Sequence, residues 1–210
     1  MGTLSRTQKI LKIAINANKN STIHIFVENE GRICSGSALV GDLKGITSNV
    51  TLGTKNLTNW KHWGIPFPGF ESLYRKYPEP KPVKTFQQKI PTLYWSKFQL
   101  REGSEPLDTF LSVDGWRKGV AYLNKFNLGR YWPVTGPQLT LYVPKHLLKP
   151  FPLFNDLVLF ELEGSPCLTA DKCTVRFVKT HVINGSTPYR TSDQIKSGSD
   201  LFFKQGETIE

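Results

Sequence analysis

The chain has 210 residues and a formal net charge of +10, with 39% hydrophobic and 21% charged residues. This composition is typical of a globular protein and argues against a disordered one. No apolar run reaches the roughly 18 residues that a membrane-spanning helix requires. The 27 lysines and arginines are scattered along the chain, so no basic block predicts a nucleic-acid-binding tail.

Strand patterns occupy the first part of the chain. Residues 10–16 (ILKIAIN) and 22–29 (TIHIFVEN) alternate in the manner of strands and are rich in β-branched residues. Residues 45–53 (GITSNVTLG) are a further candidate strand. Residues 64–91 are rich in proline, which predicts a connector and argues against a central strand.

Strand signals resume after this connector, and turn residues separate them at short intervals. No alternation of strands with helices occurs, so the pattern predicts an all-β sandwich or barrel. Only residues 144–149 (PKHLLK) predict a short helical turn. The polar residues 184–210 have a weak pattern, which predicts a loose tail. The predicted strands cover residues 92–100, 108–113, 119–126, 138–144, 155–163 and 173–183.

Marks of the secretory pathway occur in a chain that opens without a signal-peptide pattern. The four N-glycosylation sequons are more than the roughly one or two expected by chance. Cys167 and Cys173 have a spacing that suits a small disulfide loop, and Cys34 is left over. The four histidines are far apart and the cysteine spacing is unusual for zinc, so we predict no metal site and no cofactor. The sequons begin at Asn20, Asn49, Asn56 and Asn184.

Two carboxylate motifs are candidates for a catalytic role. The dipeptide Asn29-Glu30 resembles the acid/base dipeptide of retaining glycosidases, but that dipeptide lies on a barrel of about 250 residues with repeated helices, which this sequence does not predict. Glu161 and Glu163 lie on one face of a predicted strand. We expect these two glutamates at an edge or solvent-facing position, with no joint role.

A cluster of aromatic and planar polar residues surrounds FNLGRYW (126–132). Aromatic faces stack on the C–H faces of sugars, and planar polar side chains bind sugar hydroxyls, so the cluster is a weak candidate for carbohydrate binding. The same residues can instead form turns and close the end of a sandwich, and the residue types favour this structural role. The candidates are Trp116, Tyr122, Asn124, Asn127, Arg130 and Trp132.

Two long segments resemble a known family. Residues 108–148, which include GWRKG, FNLGRYW and GPQLTLYVP, followed by NDLVLFELEG, resemble the C-terminal β-domain of family 35 β-galactosidases. Residues 23–52 (IHIFVENEGRICSGSALVGDLKGITSNVTL) are similar to the preceding β-domain of animal lysosomal β-galactosidases. Cys34 and Ser35 replace the Asn-Tyr pair that this family usually carries.

The resemblance implies a galactose-binding-like jelly-roll β-sandwich preceded by a truncated β-sandwich. It divides the chain into a remnant of the first β-domain (1–60), a proline-rich connector (61–91), the jelly roll (92–183) and the tail (184–210). It also implies a Cys167–Cys173 disulfide and a lysosomal or secreted parent.

The resemblance also carries expectations about function. The catalytic carboxylates of the family lie in a TIM barrel that the matching segments do not include, so no residue here matches either one. We therefore expect this chain to be a non-catalytic C-terminal fragment, with the barrel as its partner in cis and with no nucleic-acid partner. The alternative is a free-standing module that binds galactosides.

Overall fold

The computed structural model describes residues 2–5, 9–28, 31, 33–64, 91–185 and 198–202, the last of these for the backbone alone. The chain forms two units, Met1–Gly64 and Ile65–Glu210. The dipeptide Asn29-Glu30 and nearly all of the proline-rich connector lie outside the described residues.

The described part of the first unit contains little regular structure. Strands β1 (Thr51–Leu52) and β2 (Lys55–Asn56) form a short antiparallel hairpin. Ser5 and Ile10 form an isolated bridge, and Ser37–Leu39 is a 3-10 turn.

The strands predicted at 10–16 and 22–29 are wrong for the residues that the structure describes there. Both segments have the local pattern of a strand. A strand, however, requires a paired strand beside it, and in the described residues of these two segments the backbone takes part in no strand pairing apart from the isolated bridge at Ile10. Their apolar side chains remain in water, with Leu11 72% exposed and Phe26 41% exposed.

Among its described residues, the second unit contains eight strands in two four-stranded sheets. In chain order the strands are β3 (Thr92–Phe98), β4 (Thr109–Ser112), β5 (Gly119–Leu123), β6 (Phe126–Tyr131), β7 (Thr140–Val143), β8 (Asn155–Glu161), β9 (Thr174–Val178) and β10 (Gly198–Phe202). One sheet has the order β3-β8-β5-β6 and the other β10-β9-β4-β7, and all pairings are antiparallel.

The core of this unit lies between the two sheets. Alternate residues point inward, so Leu157 and Leu159 of β8 meet Leu111 of β4 in one buried cluster. The other face of β8 is also buried, because Val158 and Phe160 belong to a second apolar cluster on the outer side of its sheet. Burial on both faces explains the nearly continuous apolar run of this central strand.

The all-β prediction is confirmed by this architecture. Of the strands described in the second unit, the sequence patterns missed two. β6 contains Asn127 and Gly129, which have low strand propensity, and a register shift interrupts its pairing with β5. β10 lies within 184–210, where the sequence predicts a loose tail. It was missed because a single short strand that pairs only with the edge of a sheet has a weak sequence pattern. In the described part of the chain no helix has the length and apolar character to cross a membrane.

Candidate functional site

Trp116 is a core residue. It is 1% exposed and its indole N–H donates to the Thr174 carbonyl at 2.9 Å. Its ring meets Tyr94 edge-on, with centroids 4.8 Å apart. A buried indole with its one donor satisfied is an anchor between strands, and it offers no face to a ligand.

Tyr122 and Asn124 are also engaged in packing. Tyr122 is 5% exposed and lies in the outer apolar cluster. The Asn124 amide group donates to the Leu147 carbonyl and to the Asn155 side chain, both at 2.7 Å, and its oxygen accepts from the Asp156 amide. Asn124 therefore ties the β5–β6 turn to β8, with φ +49° in the left-handed region that Asn tolerates.

The remaining three candidates lie nearer the surface. Asn127 is exposed, and its side-chain oxygen accepts from the Gly129 amide at 2.8 Å, which shapes the strand locally. Trp132 is half-buried between two cations: the Lys118 ammonium lies 3.9 Å from its ring centroid and the exposed Arg130 guanidinium 5.4 Å. Such contacts stabilise a tryptophan and occupy part of its face.

The structure therefore divides the six candidates. Trp116, Tyr122 and Asn124 are held in the interior or in a turn, whereas Asn127, Arg130 and Trp132 keep contact with solvent. Arg130 and Trp132 lie two positions apart where β6 ends, so they share one face of the chain. Together with exposed Asn127, this pair is the part of the predicted cluster that contacts solvent.

Glu161 is the main polar group that sequence reasoning misjudged. The sequence predicted an edge or solvent-facing position, but β8 is an inner strand and Glu161 is 0% exposed. Its Oε1 accepts from the backbone amides of Lys118 and Gly164, at 3.1 and 3.0 Å. The amides of Leu162 and Glu163 donate to the same oxygen.

The second oxygen of Glu161 completes the network. Oε2 accepts from the Arg117 amide at 3.2 Å and from the Tyr131 hydroxyl at 3.0 Å. Burial raises the pKa of Glu161, while the donated hydrogen bonds oppose that rise. Burial also raises the pKa of Tyr131 well above 10.0, so its hydroxyl keeps its proton. These six groups all donate to the carboxyl, which thereby holds the two loops around residues 117–118 and 162–164 in place.

Glu163 does not join this arrangement through its carboxylate. It is half-buried, and its backbone amide serves as one of the donors to Glu161. Among the described residues no group of histidine, cysteine or carboxylate side chains has the arrangement of a metal site.

Comparisons with known proteins connect both units with one enzyme family. The family model described as "Beta-galactosidase, first all-beta domain" matches residues 1–66, and the model described as "Beta-galactosidase, galactose-binding domain" matches residues 91–152. The chain belongs to the β-galactosidase family. The galactose-binding-domain match includes all six candidate residues for carbohydrate binding and ends before Glu161.

Curated β-galactosidases match most of the chain. Beta-galactosidase of Bos taurus is 36% identical over 208 residues, which cover 90% of this chain and 30% of that protein. The Homo sapiens protein is 35% identical over 207 residues, with 90% and 29% covered. Beta-galactosidase 17 of Arabidopsis thaliana is 41% identical over 176 residues, with 78% and 25% covered. The chain thus spans about 30% of the length of the curated relatives it matches.

Cysteine and asparagine side chains complete the inventory of sites in this β-galactosidase relative. Cys167 and Cys173 form a disulfide, which ties the loop after β8 to the start of β9. Cys34 is a free, exposed thiol in the first unit. The four sequon asparagines, Asn20, Asn49, Asn56 and Asn184, are all exposed.

Proposed function

We propose that this chain provides non-catalytic β-domains of a β-galactosidase, whose jelly roll supports a catalytic barrel. The proposal depends on one observation: the side chains of Trp116, Tyr122 and Asn124 are used for internal packing and hydrogen bonds. Side chains used in this way stabilise a fold and do not contact a substrate. The parent enzyme would hydrolyse terminal β-linked galactose in glycoconjugates. The chain itself would have no such activity.

The exposed surface of the first unit supports a partner within the parent enzyme. Many of its large apolar side chains are in water, which is unusual for an isolated globular unit. We propose that further polypeptide of the parent, including the barrel, covers them in cis. The exposed residues include Leu11, Ile13, Ile15, Ile25, Phe26, Val27, Val40, Leu43 and Ile46.

The first test is enzymatic. The pure, monodisperse chain should not hydrolyse a chromogenic β-galactoside, whereas a complete β-galactosidase assayed in parallel should do so. Turnover that elutes with the chain through size-exclusion chromatography would contradict the scaffold proposal.

The second test measures the size of the native protein. An antibody against residues 186–210 would be used in an immunoblot after glycans are removed. A band far above 23.8 kDa would support a parent that includes a barrel, which adds about 250 residues. A band at the mass of the chain would contradict a barrel in cis.

A carbohydrate-binding module is the alternative function. Exposed Arg130 beside half-buried Trp132 favours it, because an indole face and a guanidinium are common partners of sugars. Galactose and lactose titrations would test this role, with Trp132→Ala as the variant that should lose binding. Failure to saturate at millimolar sugar would remove the alternative.

We also propose a lysosomal or secreted location for the parent. The disulfide favours an oxidising compartment, and the four exposed sequons suit glycosylation. Expression through the secretory pathway of cultured cells, followed by removal of N-glycans, should increase electrophoretic mobility. Unchanged mobility would argue against this location.

A further inference from the structure

The sheet β10-β9-β4-β7 carries an aromatic surface that contains none of the six candidate residues for carbohydrate binding. Phe110 of β4 and Tyr142 of β7 are cross-strand neighbours, and their ring centroids lie 5.6 Å apart. The centroid of the His181 ring lies 5.5 Å from that of Phe110. We call these three residues the aromatic cradle.

The cradle faces away from the core. Strand residues alternate between faces, and the flanking residues Leu141 and Val143 are buried, whereas Tyr142 is 50% exposed. Phe110 is half-buried and His181 is exposed. The rings are inclined to one another, by 47° between Phe110 and Tyr142 and by 61° between Phe110 and His181.

A fixed polar group borders the rings. The Lys145 amide donates to Asp108 Oδ1 at 2.8 Å. Desolvation raises the pKa of the Tyr142 hydroxyl, and the Asp108 side chain lies close enough to add to that rise. The Lys145 hydrogen bond lowers the pKa of Asp108, so this carboxylate is charged near neutral pH. A carboxylate held in this way presents acceptor capacity beside an apolar surface.

We propose that the aromatic cradle binds a hexose unit of a neutral glycan. A pyranose has an apolar C–H face that packs on rings and hydroxyls that donate to a carboxylate, which matches the two kinds of group present here. A protein partner fits less well, because protein interfaces need a larger desolvated apolar centre than three rings provide. Exposed polar residues lie next to the cradle in the chain: Thr180 precedes His181, and Lys145 follows Tyr142 by three positions.

The test uses the full chain with lactose as the probe. Saturation-transfer NMR should show the strongest transfer to protons on the apolar face of the pyranose, and calorimetry should give saturable millimolar binding. Tyr142→Ala should weaken binding about tenfold, which is the upper end of the energy of one aromatic contact. Tyr142→Phe keeps the ring and should stay within about twofold of the wild type.

Phe126→Ala is the matched control. Phe126 is also an exposed strand aromatic, at 51%, but it lies on β6 in the other sheet. Its replacement should leave lactose binding unchanged. Thermal unfolding of each variant would show that the second unit remains folded, so a loss of binding is not a loss of structure.

Three results would overturn the cradle. The first is no saturable binding to the wild type. The second is equal binding by wild type and Tyr142→Ala, with loss in Trp132→Ala, which would place the sugar at the other cluster and keep the module alternative. The third is a change in oligomeric state in Tyr142→Ala without sugar binding, which would identify a contact between copies of the chain.

Discussion

Replacing Glu161 by glutamine tests whether its carboxylate organises the end of the jelly roll. The substitution keeps the size of the side chain but converts one acceptor oxygen into an NH2 donor. If the retained oxygen serves the four amides that now donate to Oε1, the new NH2 group faces the Arg117 amide and the Tyr131 hydroxyl. The Arg117 amide and the Tyr131 hydroxyl, both hydrogen-bond donors, would then point at a third donor, and Glu161 is fully buried, so water cannot replace the lost acceptor.

The expected cost follows from these two contacts. A buried donor that loses its acceptor costs about 1–3 kcal/mol, and the Tyr131 hydroxyl can rotate to relieve part of the conflict. We therefore expect Glu161→Gln to lower the free energy of unfolding by about 2–4 kcal/mol. For a domain of this size the melting temperature should fall by roughly 10 °C or more.

Urea unfolding followed by tryptophan fluorescence would measure this loss, since Trp116 lies in the same sandwich. Glu163→Gln is the control, because this half-buried glutamate makes its contact to Glu161 through its backbone amide. It should change stability by no more than about 0.5 kcal/mol. If Glu161→Gln is equally mild, the carboxylate does not organise these loops and the reasoning fails.

Three further predictions concern the second unit. Burial raises the pKa of Tyr131 well above 10.0, so the unfolded state releases this proton first and stability should fall as pH rises above about 10; urea titrations of Tyr131→Phe that show the same alkaline loss would contradict this. Gly119→Ala should cost about 3 kcal/mol or more, because its Cβ would collide with the Phe160 carbonyl and lie 2.7 Å from the Tyr131 ring, and a near-normal melting temperature would refute it. Replacing Cys167 and Cys173 by serine should cost about 2 kcal/mol, as expected for a short loop, and an unchanged urea midpoint would argue against that contribution.

Local patterns were sufficient for strands that bury one or both faces. Leu111 and Val113 alternate with Ser112 and Asp114 around β4, and β8 has a nearly continuous apolar run, so the sequence predicts both strands. Tertiary contacts then fixed the boundaries. β8 ends at Glu161 because the chain beyond it turns back to place three successive amides on that carboxylate.

The role of Glu161 could not be predicted from the sequence. A glutamate on a strand is usually solvent-exposed, and nothing near it in the chain signals burial. Its partners Arg117, Lys118 and Tyr131 come from other parts of the chain, and they meet it only when β5, β6 and β8 pair. The aromatic cradle could not be predicted for the same reason, because Phe110 and Tyr142 become neighbours only through the register of β4 and β7.

Among the residues described in the first unit, the local pattern predicts strands that the structure does not contain. Residues 10–16 have an alternating apolar pattern as clear as that of β4, yet Ile13 and Ile15 remain exposed. An alternating pattern predicts which face of a strand would be buried, but the face is buried only when other elements pack against it. The second unit supplies such neighbours from its own residues and encloses a core. The described part of the first unit has the pattern, but its apolar side chains stay exposed, and this contrast is the physical reason for proposing that it functions as part of a larger β-galactosidase.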